Sequence, residues 1–313
     1  MKKGLQGAIL FFVIFLSLFI GVKDLDGQLF FKGEQQLIFF ATRLPRTISL
    51  LVAGSTLSVC GLVMQQLTQN KFVSPTTAGT MDSARLGILV VMLFLPDAPL
   101  LLRSGVAFLF AFLGTLLFLQ LTRFLPGKNQ MMVPLVGVMF GNIIGSMATF
   151  FAYQFELVQN MSSWLQGNFA TVLRGSYELL YLAVPLLGVI YYFAYHFTVA
   201  GMGEDLAQNL GLNYRRVQYL GLGLVALASS LVLIMVGTVP FIGVIVPNLV
   251  SLRYGDQMKN TLGLTAWLGS VFLIACDILA RVVIPPYEIP VSVIVGALGS
   301  VLFIFLLVRR QQV

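Results

Sequence analysis

The chain has 313 residues, 58% of them hydrophobic and 10% charged, far below the roughly one quarter charged in soluble domains, which excludes a soluble enzyme of ordinary composition. Its net charge of +7 is carried by single or paired cations between apolar stretches, with no basic stripe interleaved with aromatics, which excludes a nucleic-acid surface. Apolar runs of about 20 residues, enough to cross about 30 Å of hydrocarbon, recur throughout, so one membrane domain spanning residues 1–313 is expected.

Residues 1–22, MKKGLQGAILFFVIFLSLFIGV, have the charged start and apolar body of a signal peptide but no convincing small-x-small cleavage site before Lys23. With further spans following, they read as a retained first helix. Ten spans are expected near 6–22, 44–68, 77–95, 100–122, 131–153, 177–199, 217–237, 239–253, 261–280 and 290–308. The fold class is therefore all-α, a polytopic membrane protein of about ten transmembrane helices. An even number of crossings puts both termini on one side, and the cations of Lys2, Lys3, Arg309 and Arg310 make that side the cytoplasm. Lys71, Arg123, Lys128, Arg215, Arg216, Arg253 and Lys259 fall on the same side and outweigh Lys23, Lys32, Arg43, Arg46, Arg103, Arg174 and Arg281 opposite.

The second span opens with RLPR, which puts Arg43 and Arg46 on adjacent positions of one helix face with Pro45 in the first turn. Two cations at a helix N-terminus oppose the helix dipole, so an acidic partner is expected there. Snorkelling to lipid headgroups is the alternative. SPTTAG, residues 74–79, interrupts the entry to the third span, which carries Asp82 and Arg85 at i, i+3 spacing. Asp277 and Arg281 stand at i, i+4 in the ninth span. Each couple is spaced to neutralise itself along a helix face, as a charge costing about 3 kcal/mol at the bilayer centre requires; a role in substrate passage is the alternative. In the fifth span, Gly137, Gly141 and Gly145 form an i, i+4 stripe beside Asn142, which close helix packing or a lined path would both explain.

The span near 239–253 is short and is expected to break at Pro240 and Pro247. The longest connection on the cytoplasmic side, residues 200–218, is too polar for lipid. Glu204 to Leu210 reads as a short surface helix, with Glu204 and Asp205 at its start, Leu206 and Leu210 on one face and Gly211 as its stop, against a plain solvated loop. Cys60 and Cys276 lie inside apolar spans as small buried hydrophobes.

No G-x-x-x-x-G-K-[ST] pattern occurs, since PGKNQ at 126–130 lacks both the first glycine and the hydroxyl residue. The chain has no such route to ATP hydrolysis. An intramembrane zinc protease would need clustered ligands, but His196 is the only histidine and lies near the end of a span. No metal site is expected. A passive channel is the other alternative, and it gives no reason for a surface helix or for paired arginines at a helix mouth.

Four segments in order, RLPRTISLLVAGSTLSVCGLVMQQLTQNKFVSPTTAG, GEDLAQNLGLNYRRVQ, VGTVPFIGVIVPNLV and CDILARVVIPPYEIPVSVIVGALGS, resemble the iron-siderophore, haem and cobalamin permease family of ABC importers. The resemblance covers nearly the whole chain and implies a permease subunit in a bacterial plasma (inner) membrane. It implies a homo- or heterodimer of permeases, two ATP-binding subunits that hold ATP and Mg, and an extracytoplasmic binding lipoprotein or periplasmic protein that delivers a ferric siderophore. The chain itself binds no cofactor in this reading. By the same resemblance Arg43, Arg46 and Arg281 receive acidic residues of the binding protein. Glu204, Asp205, Leu206, Leu210 and Gly211 meet the ATPase, and Gly137, Gly141, Asn142 and Gly145 line the path. Asn248 stands where histidine is common in the family, and Asp82 and Arg85 where small neutral residues are usual. These departures resemble a ferric-siderophore branch; haem or cobalamin import is the alternative.

Overall fold

In the computed structural model of the chain, residues 3–20, 36, 38–124, 132–175, 177–285 and 287–310 are described. The expected ends of the first span at 22 and the fifth at 131, and Lys2, Lys23, Lys32 and Lys128, lie outside the described residues.

Apolar runs become helices because a backbone in hydrocarbon must satisfy its own polar groups. The helices are α1 (Lys3–Phe19), α2 (Leu44–Leu67), α3 (Thr80–Phe94), α4 (Leu100–Arg123), α5 (Met132–Gln154), α6 (Val158–Leu165) and α7 (Ala183–Tyr192), followed by α8 (Ala194–Gly201), α9 (Glu204–Asn209), α10 (Tyr214–Val236), α11 (Ile242–Tyr254), α12 (Met258–Val282) and α13 (Val291–Arg310). A five-residue π-helical turn, Phe39–Arg43, leads into α2. Among the described residues there is no β-strand, and the isolated bridge is Gln166 to Thr238. Among the described residues, five helices can cross a membrane by length and apolar composition, and six if the bent pair Glu178–Tyr192 and Ala194–Gly201 is one crossing. Gly4–Phe19, Ile242–Tyr254 and Val291–Leu306 are shorter apolar helices.

Helix α2 is the centre of the bundle, 78% of its apolar window being buried, against 22% for α5 at the periphery. Absent side chains let it sit there. A Cβ on Gly61 would lie 1.9 Å from the Gly243 carbonyl oxygen of α11, and one on Gly54 would lie 2.6 Å from the Gly269 oxygen of α12. Side chains are excluded at both crossings, so the backbones meet directly. Leu50, Ala53 and Leu57 of α2 pack with Ile242 and Val246 of α11 and Leu273 and Ile274 of α12 in one core, and Leu62, Val63 and Met64 join Leu222 and Val225 of α10 in a second.

Four expectations need correction. The span near 177–199 is bent by 58° between α7 and α8. The connection after α5 contains α6, whose Met161 is buried beside Ala148 and Ala152 of α5 and whose Leu165 packs on the same cluster, at i, i+4 spacing. The third helix begins at Thr80, because Ser74–Gly79 closes a turn in which Thr77 and Ala78 N–H groups donate to the Ser74 carbonyl and Gly79 takes φ +71°. Finally, Pro240 precedes α11 but Pro247 does not break it. Proline at 247 deprives the Gly243 carbonyl of its helical donor. Gln65 Nε2 approaches that oxygen at 3.4 Å, and Asn248 Nδ2 donates to the adjacent Val244 carbonyl at 2.8 Å.

Candidate functional site

Three sets of polar residues interrupt the apolar bundle. The first lies where α1 ends and α2 begins. Arg43, Arg46 and Arg281 are 7%, 9% and 5% exposed, and Asp277 is fully buried among them. Arg46 Nε and Nη2 both donate to Asp277 Oδ1, at 3.1 and 2.7 Å, while its Nη1 donates to Glu288 Oε2 at 2.7 Å. Arg281 Nη2 pairs with Asp277 Oδ2. Further donors turn to α1, whose last carbonyls have no partner within their own helix, while the Arg281 Nε is buried without an acceptor. Arg43 Nη1 donates to Leu18 and Phe19 carbonyls, both at 2.9 Å, and Arg281 Nη1 to those of Ser17 and Ile20, both at 2.8 Å.

The expected Asp277–Arg281 pair is thus present, and Arg46 joins it from another helix. Cations that oppose the α2 dipole are balanced inside the chain by Asp277, Glu288 and the negative end of α1. Asp277 and Glu288 as partners of Arg46 were missed because they lie 231 and 242 residues away. A fully buried carboxylate in the ninth span was the signal available.

The second set faces an open cavity of about 420 Å³ between α3 and α5, lined by Asp82, Arg85, Gly141, Asn142, Gly145, Ser146, Thr149 and Phe150. Asp82 lies in the first turn of α3. Its carboxylate rests over the glycine gap of α5, so that a Cβ on Gly141 would sit 2.6 Å from Oδ2 and one on Gly145 would sit 3.5 Å from Oδ1. Gly137 does not line the cavity; a Cβ there would meet the Thr77 carbonyl oxygen at 2.1 Å, so this glycine serves close packing. Asp82 and Arg85 share the cavity, but no ion pair within 4.0 Å joins them among the described residues. Arg85 Nε is buried without a hydrogen-bond partner. The structure therefore brings Asp82, Arg85 and most of the expected glycine stripe into one place, but without the ion pair that the i, i+3 spacing of Asp82 and Arg85 leads one to expect.

The third set is α9. Its six residues bury Ala207 while Leu206 and Leu210 stand 55% and 65% exposed on one face. Glu204 and Asp205 occupy the first turn, where the helix dipole favours them. The helix ends as expected at Gly211: the Gly211 N–H donates to Gln208 and the Leu212 N–H to Ala207, with Gly211 at φ +77°. Asn248 fastens α11 to the turn after α2 through the Lys71 carbonyl, at 2.7 Å. Lys71 in turn pairs with Asp256.

A bundle of long apolar helices with a polar cavity between two of them, and a surface helix with exposed leucines, defines a multi-pass membrane transport protein. The chain matches the FecCD transport family over residues 9–309 and belongs to it. It is 51% identical over 297 residues to the petrobactin import system permease protein YclN of Bacillus subtilis, covering 94% of each chain. It is 40% identical to the ferric-anguibactin transport system permease protein FatD of Vibrio anguillarum, covering 95% of each. It is 31% identical to the vitamin B12 import system permease protein BtuC of Vibrio cholerae, covering 89% of this chain and 85% of that one. Its fold resembles that of a structure described as an inward-facing conformation of a metal-chelate type ABC transporter, with TM-score 0.81, 24% identity and 97% of each chain covered. The chain is a transport component, not an enzyme.

Proposed function

We propose that the chain is the permease subunit of an ATP-driven importer of ferric siderophores, crossing a bacterial plasma membrane ten times with both termini in the cytoplasm. The observation that carries this reading is the 51% identity to a petrobactin import permease over nearly the whole of both chains. The anguibactin permease relative at 40% supports it further, and the cobalamin permease at 31% stands behind both. Ten crossings would comprise α1 to α5, the bent pair α7 and α8, and α10 to α13. In this reading two permeases, identical or similar, associate with two ATP-binding subunits that hold ATP and Mg, and an extracytoplasmic protein delivers the substrate.

The exposed face of α9 suits the ATP-binding subunit: Leu206 and Leu210 are apolar anchors for a groove, and Glu204 and Asp205 offer charge beside them. Arg43, Arg46 and Arg281 stand at what would be the outer surface, where the binding protein docks. Their burial sets the terms of that contact, because an arriving carboxylate reaches Arg46 by competing with Glu288.

The test is uptake of radio-iron as ferric petrobactin into proteoliposomes holding the chain, its cognate ATPase and its binding protein. Uptake is expected only with ATP and all components, and the purified chain alone hydrolyses no ATP. ATP-independent flux through the chain alone, or hydrolysis by it, overturns the reading.

A further inference from the structure

The geometry points to Arg85 as a receptor for an oxyanion of the transported solute, a carboxylate or phenolate oxygen on the periphery of an anionic chelate, in the cavity between α3 and α5. This inference rests on the importer reading above and names the chemistry by which the permease itself holds its cargo.

The charges in the cavity are not equivalent. Asp82 lies in the first turn of α3, where unpaired N–H groups and the positive end of the helix dipole stabilise an anion. Its carboxylate is also packed over Gly141, close enough to exclude a methyl group there. Arg85 is one turn further along, has no ion pair within 4.0 Å among the described residues and carries a buried Nε without an acceptor. A buried guanidinium donor without a partner is costly, and an unpaired charge within an apolar span costs about 3 kcal/mol, so such groups face a partner, water or a ligand. Asp82 is thus compensated by the helix start and by the nearby charge of Arg85, while the Arg85 Nε itself stays without an acceptor.

The surroundings suit a ligand better than lipid. Asn142, Ser146 and Thr149 place an amide and two hydroxyls on the same wall, on successive turns of α5. A volume of about 420 Å³ lies within the range of small-ligand pockets. It has room for one arm of a chelate. A guanidinium fork donates to carboxylate or phenolate oxygens at fixed geometry, and the neighbouring Asn142 amide and Ser146 hydroxyl complete the contact without adding charge, the Thr149 hydroxyl being engaged with the Gly145 carbonyl at 2.8 Å. Weak, single-arm capture also fits a transporter, which must release what it holds.

The experiment uses the reconstituted complex of chain, ATPase and binding protein. Arg85→Gln is expected to lower uptake of ferric petrobactin by at least about tenfold at equal protein level, and Arg85→Lys by less. Independently, Ser146→Cys puts a thiol on the cavity wall while the native Cys60 and Cys276 are buried. An anionic methanethiosulfonate should modify that thiol faster than a cationic one, Arg85→Gln should abolish the preference, and ferric petrobactin should slow the modification. Undiminished uptake by Arg85→Gln, or a thiol indifferent to reagent charge and to ferric petrobactin in a complex that transports it, overturns the inference. If the wild-type complex transports no ferric siderophore, the importer reading fails instead, and the charge preference of the Ser146→Cys thiol still decides whether the cavity receives anions.

Discussion

Asp277 shares its two oxygens between arginines of two helices, and its burial leaves it no other source of compensation. Removing one partner from such a cluster strands a charge, which is far costlier than removing an exposed pair. Substituting Arg46 or Arg281 therefore confounds docking with folding. Glu288 is the cleaner probe, because its side chain is 22% exposed and its ion pair among the described residues is with the Nη1 end of Arg46. If the binding protein delivers a carboxylate to Arg46, Glu288→Ala removes the internal competitor and should raise binding-protein affinity severalfold, by about 1 kcal/mol. The gain should shrink as salt rises. Unchanged affinity, measured on proteoliposomes at low ionic strength, would leave the three arginines with a purely internal role.

At the scale of single elements, α9 is short and half solvated, so its exposed leucines contribute little to its own folding. Charged residues at Leu206 and Leu210 should leave insertion and thermal stability intact while reducing ATP-driven uptake at least about tenfold. Retained uptake in the Leu206→Glu, Leu210→Glu double variant would sink the coupling role. This helix was fully legible in the sequence, and so were most helix boundaries, because apolar length, capping glycines and i, i+4 spacing are local. The turn at Ser74–Gly79 was also legible as a break, though its hydrogen bonds moved the start of α3 to Thr80. Helix α6 was not found, although Met161 and Leu165 already repeat at helical spacing between polar residues. The cavity was legible only in parts. Asp82 and Arg85 are three residues apart and the glycines of α5 are four apart, but their meeting depends on how α3 crosses α5, which no local pattern encodes. Arg46 with Asp277 failed for the same reason. Pro247 misled because the carbonyl it frees is approached by a side chain from α2.

For the whole molecule, the crossings of α2 with α11 and α12, where the backbones meet directly, are a tight constraint. At Gly61 any side chain would overlap the Gly243 carbonyl, so α11 would have to move away from α2, breaking the approach of Gln65 to Gly243 and the hold of Asn248 on the turn after α2. Gly61→Val is expected to destabilise the detergent-purified protein by more than about 2 kcal/mol, seen as a lower melting temperature and loss of monodispersity. Gly263, with nothing within 4 Å of its Cβ position, is the matched control: Gly263→Ala should be tolerated. Equal melting temperatures for both variants would contradict the packing described for α2.

The arginine caps on α1 have a consequence for biogenesis. The ribosome delivers Ser17 to Ile20 early, but Arg281, which donates to the Ser17 and Ile20 carbonyls, follows 264 and 261 residues later. Through most of synthesis Arg43 and Thr47 can meet the end of the first helix, but Arg281 cannot, and Asp277, the acid that holds Arg46, has not yet been made. A nascent chain therefore carries an unfinished lock at this corner until its penultimate long helix emerges. Truncated products lacking α12 should expose that unfinished corner to membrane quality control, whereas the complete chain conceals it.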